Sequence, residues 1–396
     1  MRFDRFVLMS YQALQTIIIA SLLAASLLPA KTPVYAVTSD ASSSADAGLC
    51  LPAADEPPGS CLMAGPAARL QDLAAVGITF PGPQIYASPT PIELAQIPYI
   101  YGIVSNEEIP LYRSLEDINN EEDPARTLIK SRIKYVSLIK KETTLKGDYY
   151  QIATDEWIKA DQVRRVAVPN FQGLLFKENP EITFGWVLDQ VPGRSAPDYL
   201  APETGTVYNR FQRVIFYDSK VVDNVEWVMV GPDEWLEHRY TARVIPSFGR
   251  PEGVPSDKWI EINLYEQVLS AYENGNLVFA TLISSGVYPF YTKPGVFQIY
   301  KKLEFDPMSG SFELDKSDYY YLENVPYIMY YDDARAIHGA YWQSRLGYQN
   351  SHGCVNLSVA DAHWIYNWAS EGDFVYVHDP SGQTPTDPEF YKGGGY

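Results

Sequence analysis

Asp155-Glu156-Trp157-Ile158 recurs as Asp233-Glu234-Trp235-Leu236, and the same offset of 78 aligns Tyr149 with Trp227, Ile152 with Val230, Arg165-Val166 with Arg243-Val244, Arg132 with Arg210 and Val136 with Val214. Two copies of one pattern must fold as two copies of one unit, which rules out most architectures for residues 97–247 at once. Each copy ends as an apolar run, a polar turn and a second short apolar run: Tyr150-Gln151-Ile152-Ala153, then Thr154-Asp155-Glu156, then Trp157-Ile158. Closely spaced short strands with polar turns predict small β-barrels. They are read as one β domain over 97–167 and a second over 168–247, although a single larger pseudo-symmetric β domain would look the same. The 30 Tyr and 8 Trp of the chain favour pleated, half-buried surfaces and support a mainly β fold. Trp157 and Trp235 read as core residues ahead of a ligand platform.

The first 36 residues read as a targeting segment. Arg2 and Arg5 precede the apolar run Ile17–Leu28, which is 12 residues long, against the roughly 20 that a membrane span needs. Small residues then lead to Ala36, the preferred cleavage point of a signal peptide over 1–36. The alternative is an uncleaved N-terminal membrane tether, because the stretch from Leu8 to Leu28 carries no charge. Residues 37–96, rich in Ala, Ser, Pro and Gly, read as a flexible linker. A net charge of −18 disfavours nucleic acid as a partner, since phosphate backbones are held by Lys and Arg. Outside the cytoplasm thiols tend to pair. Cys50 and Cys61 could close a small loop or stand unpaired, and Cys354 is the odd thiol.

Residues 248–380 form the third region. Trp259-Ile260-Glu261-Ile262-Asn263-Leu264 alternates apolar and polar and predicts a strand. Glu273-Asn274-Gly275-Asn276 predicts a turn, Leu277 to Ser284 the next strand, and Val296 to Tyr300 another after the Pro294-Gly295 turn. The expected connectivity is a β-meander. Ser358-Val359-Ala360-Asp361 predicts a capped helix start, with Ala362, Ile365, Tyr366 and Ala369 at helical spacing. Gly372 ends it, and Phe374 to Val377 makes a closing strand. The tail, 381–396, is polar and Gly-rich and reads as disordered.

The chemistry concentrates in His338-Gly339-Ala340-Tyr341-Trp342 and Ser351-His352-Gly353-Cys354-Val355-Asn356-Leu357. A thiol attacks carbonyls as its thiolate, so it needs a base or a positive field beside it. Cys354 has His352 two residues away and His338 upstream. Gly353 lets the backbone turn sharply, and the amides of Gly353 and Cys354 could form an oxyanion hole. Together these are acyl-transfer equipment. Zinc is disfavoured because the spacing of His338, His352 and Cys354 matches no usual paired-ligand pattern. His238, His363 and His378 lack such company and read as surface or helix residues.

The Ser351-to-Asn356 segment with upstream His338-Gly339 resembles the signature of L,D-transpeptidases of the YkuD type, and the resemblance extends over the third region. The Trp157-Ile158-Lys159-Ala160-Asp161-Gln162-Val163 ending of the first copy loosely resembles bacterial Src-homology-3-like domains. The resemblance implies a C-terminal β-sandwich-like catalytic domain with one or two helices, preceded by two small β-barrel-like repeats. It implies Cys354 as acylated nucleophile and His338 as base, supported by the Gly339 carbonyl. His352 and Gly353 would belong to the substrate cradle and oxyanion hole, with Ser351 and Asn356 shaping the loop. Asn356 stands where many members carry Arg. Trp342 and Tyr331 are candidates for the pocket lining, and the segment between Lys302 and Pro326 for a covering lid. No metal or organic cofactor is implied. The expected partners are peptidoglycan stem peptides, with glycan strands as a further candidate, outside the cytoplasm, and a monomer is the default.

The implied reaction joins third stem residues through a cysteine thioester. Rival readings are an L,D-carboxypeptidase or endopeptidase that passes the acyl group to water, and a non-catalytic wall-binding protein. Papain-like and wall-endopeptidase chemistry places Cys before His in the chain, the reverse of the order here.

Overall fold

The computed structural model describes residues 48–49, 61–62, 65–104, 108–128, 133–153, 155–246, 249–310 and 319–391. The expected signal segment and Cys50 lie outside these residues, as do the side chain of Cys61 and the last five residues of the tail. The chain divides into a unit Met1–Ala64, in which Gly48–Leu49 pairs in parallel with Cys61–Leu62, and a unit Gly65–Tyr396. The second unit is mainly β.

The offset of 78 survives into three dimensions. Strands Lys140–Thr144, Gly147–Ala153 and Glu156–Lys159, the 3₁₀ turn Ala160–Gln162 and strand Val163–Arg165 reappear as Asp218–Val222, Val225–Gly231, Glu234–Glu237, His238–Tyr240 and Thr241–Val244. The pairing repeats too. In the first copy Val163–Arg165, Ile100–Val104 and Ile133–Leu138 lie side by side, as do Thr241–Val244, Phe184–Val187 and Arg213–Ile215 in the second. Trp157 and Trp235 are both buried, each at the start of its copy's final hairpin arm.

The copies are not independent beads. The three-stranded layer of the first copy continues through Ile133–Leu138 into Tyr320–Asp332, then Arg335–Gly339 and Val355–Leu357, making one seven-stranded sheet whose remaining member, Lys301–Gly310, pairs with Tyr320–Asp332. A second seven-stranded sheet runs Gly295–Gln298, Phe374–His378, Lys258–Asn263, Val268–Glu273, Asn276–Leu282, Leu174–Phe176 and Ala87–Pro89. Strands from upstream of residue 248 therefore extend both sheets. The two sheets share one core: Ile260, Ile262 and Phe279 from one, Met329, Ile337, Val355 and Leu357 from the other, closed by Ala362 and Ile365 of the helix Val359–Trp368.

Lys258–Asn263, Val268–Glu273 and Asn276–Leu282 form the expected antiparallel meander, turned at Asn274 and Gly275, both with positive φ. The closing strand departs from it. Phe374–His378 lies parallel to Lys258–Asn263, because the helix carries the chain back across the sheet before it pairs. The alternation in Lys258–Asn263 is also not an exposed face against a buried one, since both faces are covered. Glu261 is buried because His378 Nε2 bonds its carboxylate at 2.8 Å and the Tyr272 hydroxyl donates to it at 3.2 Å.

Two other expectations change. Residues 65–96 of the expected linker carry regular structure: helix Gly65–Ala75 buries Leu73 against Trp227, Met229 and Trp235, and Ala87–Pro89 is a sheet edge. An Ala-rich stretch reads as a linker by composition but is also a good helix former. Residues 381–391 of the tail are held in place, with Tyr391 buried on a 3₁₀ turn Pro388–Tyr391. Arg335 binds its carbonyl, and Asp379 gathers the amides of Ser381 and Thr384.

The helix is anchored at its first turn. Ser358 caps it by accepting from the Asp361 amide. The Asp361 carboxylate is fully buried and accepts four hydrogen bonds, from Thr90 Oγ1 at 2.7 Å, Gly173 N at 2.8 Å, Thr281 Oγ1 at 2.7 Å and Ser358 Oγ at 2.8 Å. One side chain thus ties the helix, the sheet and two upstream segments together. Asp361→Ala strands those donors in a dry site, where each unsatisfied group costs about 1–3 kcal/mol. The expected result is a loss of roughly 3 kcal/mol or more, seen as a lower urea midpoint with an unchanged slope. A midpoint equal to wild type contradicts this anchoring role.

Candidate active site

Arg335–Gly339 and Val355–Leu357 are parallel neighbours in register, with Ile337 opposite Val355 and His338 opposite Asn356. Side chains alternate along a strand. Ile337, Val355 and Leu357 therefore enter the core, while His338, Cys354 and Asn356 turn to the other face. There all three line one cavity of about 360 Å³. Ser351, His352 and Trp342 line it as well. Six of the nine residues singled out from the sequence thus meet at one opening.

The other three lie behind it. Gly339 supplies the carbonyl at 3.1 Å from His338 Nδ1. A carbonyl only accepts, so Nδ1 carries the proton and Nε2 keeps the lone pair. Gly353 has φ +108, a conformation open to glycine and strained for other residues. Tyr331 does not face the cavity. Its ring is in the core against Phe297, and its hydroxyl is buried with no hydrogen-bond partner among the described residues. In the strand Tyr320–Asp332 the alternation gives the cavity to Tyr330 and sends Tyr331 inward.

The loop bearing Cys354 is held from several sides. Ser351 Oγ donates to the Cys354 carbonyl at 2.5 Å and accepts from the Gly353 amide at 3.2 Å. That second bond engages one of the two amides expected to meet an oxyanion. Thr292 Oγ1 accepts from the Gly286 amide at 2.8 Å and donates to the Gly353 carbonyl at 2.9 Å. A side chain at Gly286 would collide with the Phe290 carbonyl, at 2.1 Å from its Cβ. The ring of His352 stacks on Tyr320, centroids 5.2 Å apart.

Sequence reasoning missed Tyr135, Met308 and Tyr330, which line the cavity, and Arg335, which lies behind it. Arg335 is 2% exposed, bonds Asp332 at 2.8 Å, and reaches the carbonyls of Tyr291 and Tyr391 at 3.3 Å each. Its charge lies close enough to favour a Cys354 thiolate. The signal for Arg335 in the sequence was a cation at the head of the strand that carries His338. His363 lies on the helix, as one of the two expectations had it, and all three of His238, His363 and His378 have partners. His238 sits 3.0 Å from Glu266, His363 Nδ1 bonds the Leu94 carbonyl, and His378 pairs with Glu261. All three partners are remote in sequence. Burial opposes ionisation of Glu266, but His238 and Arg243 outweigh it and hold the carboxyl below its usual range.

At the cavity, burial raises the Cys354 thiol above its ordinary value, against the opposing pull of the Ala336 amide and Arg335. Burial also lowers the His338 imidazole to about 4, with the Gly339 carbonyl opposing. At neutral pH the pair therefore rests as thiol and neutral imidazole. In that state the thiol proton has to pass to the imidazole as sulfur attacks.

Residues 257–377 match the YkuD family model, described as the L,D-transpeptidase catalytic domain. Nothing matches among curated proteins. Similar solved structures include an L,D-transpeptidase from Enterococcus faecium, as a point variant, 27% identical over 31% of this chain and 50% of that one, with a TM-score of 0.29. The catalytic domain from E. faecium is 29% identical over 32% of this chain and 100% of its own, TM-score 0.29. An L,D-transpeptidase from Stackebrandtia nassauensis is 24% identical over 36% and 63%, TM-score 0.27. The chain spans about half the length of the first of these structures. The family match thus falls on residues 257–377, the stretch that carries His338 and Cys354, and is to the L,D-transpeptidase catalytic domain of the YkuD family.

Proposed function

We propose that this protein is an extracytoplasmic L,D-transpeptidase that crosslinks peptidoglycan stem peptides through a thioester on Cys354. The observation that carries the reading is the meeting of His338 and Cys354 on one cavity, His338 in a strand and Cys354 just before the start of the neighbouring one, within the domain that matches the family. His338 Nε2 takes the thiol proton as sulfur attacks the carbonyl of the third stem residue. The tetrahedral oxyanion then collapses, and the terminal D-amino acid leaves as an amine with the proton from His338. An acceptor amine attacks the thioester, gives its proton to His338 and releases the thiol, so the enzyme returns unchanged. Splitting one acyl transfer into two steps is what a nucleophile contributes.

Arg335, near Cys354 and fixed by Asp332, supports sulfur as charge builds on it. The Cys354 amide is the first oxyanion donor, and the Gly353 amide joins by exchanging its bond to Ser351. Asn356 and His352 cradle the peptide. We read the two upstream copies as β domains over 97–167 and 168–247 that carry the catalytic domain.

The test is mass spectrometry of the products from defined tetrapeptide stems. The expected product is a dimer joined between third residues. Tripeptide without dimer assigns the acyl group to water and makes the enzyme a carboxypeptidase. Unchanged tetrapeptide, with no carbapenem adduct on the protein, removes the catalytic reading.

A further inference from the structure

The cavity around Cys354 is not built by the catalytic domain alone. Tyr135, from the first upstream copy, lines it together with Trp342, with centroids 6.2 Å apart. Its strand, Ile133–Leu138, runs parallel to the first residues of Tyr320–Asp332, with Tyr135 opposite Leu322. The start of Tyr320–Asp332 belongs to the segment between Lys302 and Pro326 expected to cover the site, and its antiparallel neighbour Lys301–Gly310 brings Met308 to the same wall.

The joint is specific. The Ser137 amide donates to Glu323 at 2.7 Å, and Asn324 Nδ2 donates to Ser137 Oγ at 2.8 Å. Tyr101 donates to the Asn324 carbonyl at 2.7 Å, and its ring stacks on Tyr341 at 3.4 Å. Tyr341 is the residue before Trp342, donates to the Glu323 carbonyl at 2.8 Å, and meets Tyr135 edge-on at 5.8 Å. The upstream copy therefore fixes both the covering strand and the Tyr341-Trp342 segment that follows His338. Among the described residues that line the cavity there is no Asp, Glu, Lys or Arg. Burying an unpaired charge there would be costly, whereas rings and a methionine side chain offer dispersion contacts to uncharged, hydrocarbon-bearing groups.

We propose that Tyr135 is a specificity-determining residue of the active site. It completes, with Trp342, an aromatic wall that binds an uncharged segment of the acyl donor, the methylene groups of its third residue against the rings and its charged ends outside the cavity. This deepens the transpeptidase reading of the same site and rests on it.

The experiment uses the full chain and a stem tetrapeptide. In a Cys354→Ala background, which cannot turn over, calorimetry measures tetrapeptide affinity with and without Tyr135→Ala. The expected result is a Kd about ten-fold higher, the scale of losing one well-packed aromatic contact, with Tyr135→Phe close to the parent. In the active enzyme KM rises by a similar factor while kcat stays within about two-fold. The alkylation rate of Cys354 by iodoacetamide, a small reagent that needs no wall, stays at the wild-type value.

An unchanged Kd overturns the proposal, as does tetrapeptide that does not bind the Cys354→Ala protein. So does a fall in kcat accompanied by altered alkylation, which would make Tyr135 only a support for the covering strand. If the tetrapeptide binds and Tyr135→Ala weakens it, but the wild type forms no product, the wall stands and the transpeptidase reading falls.

Discussion

Cys354→Ala is expected to abolish acylation. Wild-type protein mixed with a carbapenem should gain the mass of one molecule, and the variant none. Turnover of tetrapeptide stems should fall on the order of 10⁴-fold or more, the scale seen when a covalent nucleophile is removed from an intact site. The fold should survive, because the residue is partly exposed and the loop is held by other groups: Ser351 on the Cys354 carbonyl and Thr292 on that of Gly353. Unfolding curves that overlay wild type therefore belong to the expected result. Cys354→Ser is the stricter form. It keeps the shape and replaces the thiol with a hydroxyl that is a far weaker nucleophile near neutrality. A variant that still crosslinks, or still takes up the carbapenem, places the nucleophile elsewhere.

How much of this could be read in advance varies with the range of the interaction. The motif strands were legible because alternation is local: once Val355 and Leu357 are assigned to the core, Cys354 and Asn356 must face away. Tyr330 and Tyr331 show the limit. Both are aromatic and adjacent, and only the strand's register decides which one meets the cavity. The repeat was legible because two copies of one unit share their spacing, down to the 3₁₀ turns at Ala160–Gln162 and His238–Tyr240. Its attachment was not, because pairing between Ile133–Leu138 and Tyr320–Leu322 spans nearly half the chain. Composition also misled. Gly65–Ala75 has the small-residue content of a linker, yet Leu73 finds a pocket lined by Trp227 and Trp235. The hydrogen bonds of His238 and His378 and the buried ion pair of Arg335 each depend on a carboxylate whose approach only the fold decides.

His338→Gln is expected to lower acylation at neutral pH by about 10²–10⁴-fold, the range of a positioned general base, and to change the shape of the pH profile. The imidazole titrates at about 4, and the thiol is raised above its ordinary value by burial. The reactive form for proton transfer during attack is thiol beside neutral imidazole. Its population rises as pH climbs through the His338 value, stays level across neutrality, and falls only where the thiol itself ionises. With an uncharged acyl donor, wild type should therefore show a plateau through the neutral range and an acid limb near pH 4. The variant lacks the base and must rely on preformed thiolate. Its rate should climb about ten-fold per pH unit up to the raised thiol value, so the gap between the two proteins narrows as pH increases. Parallel profiles, offset by a constant factor, would mean that residue 338 shapes the site without accepting the proton. A wild-type profile that climbs through neutrality would mean that the thiolate forms before the substrate arrives.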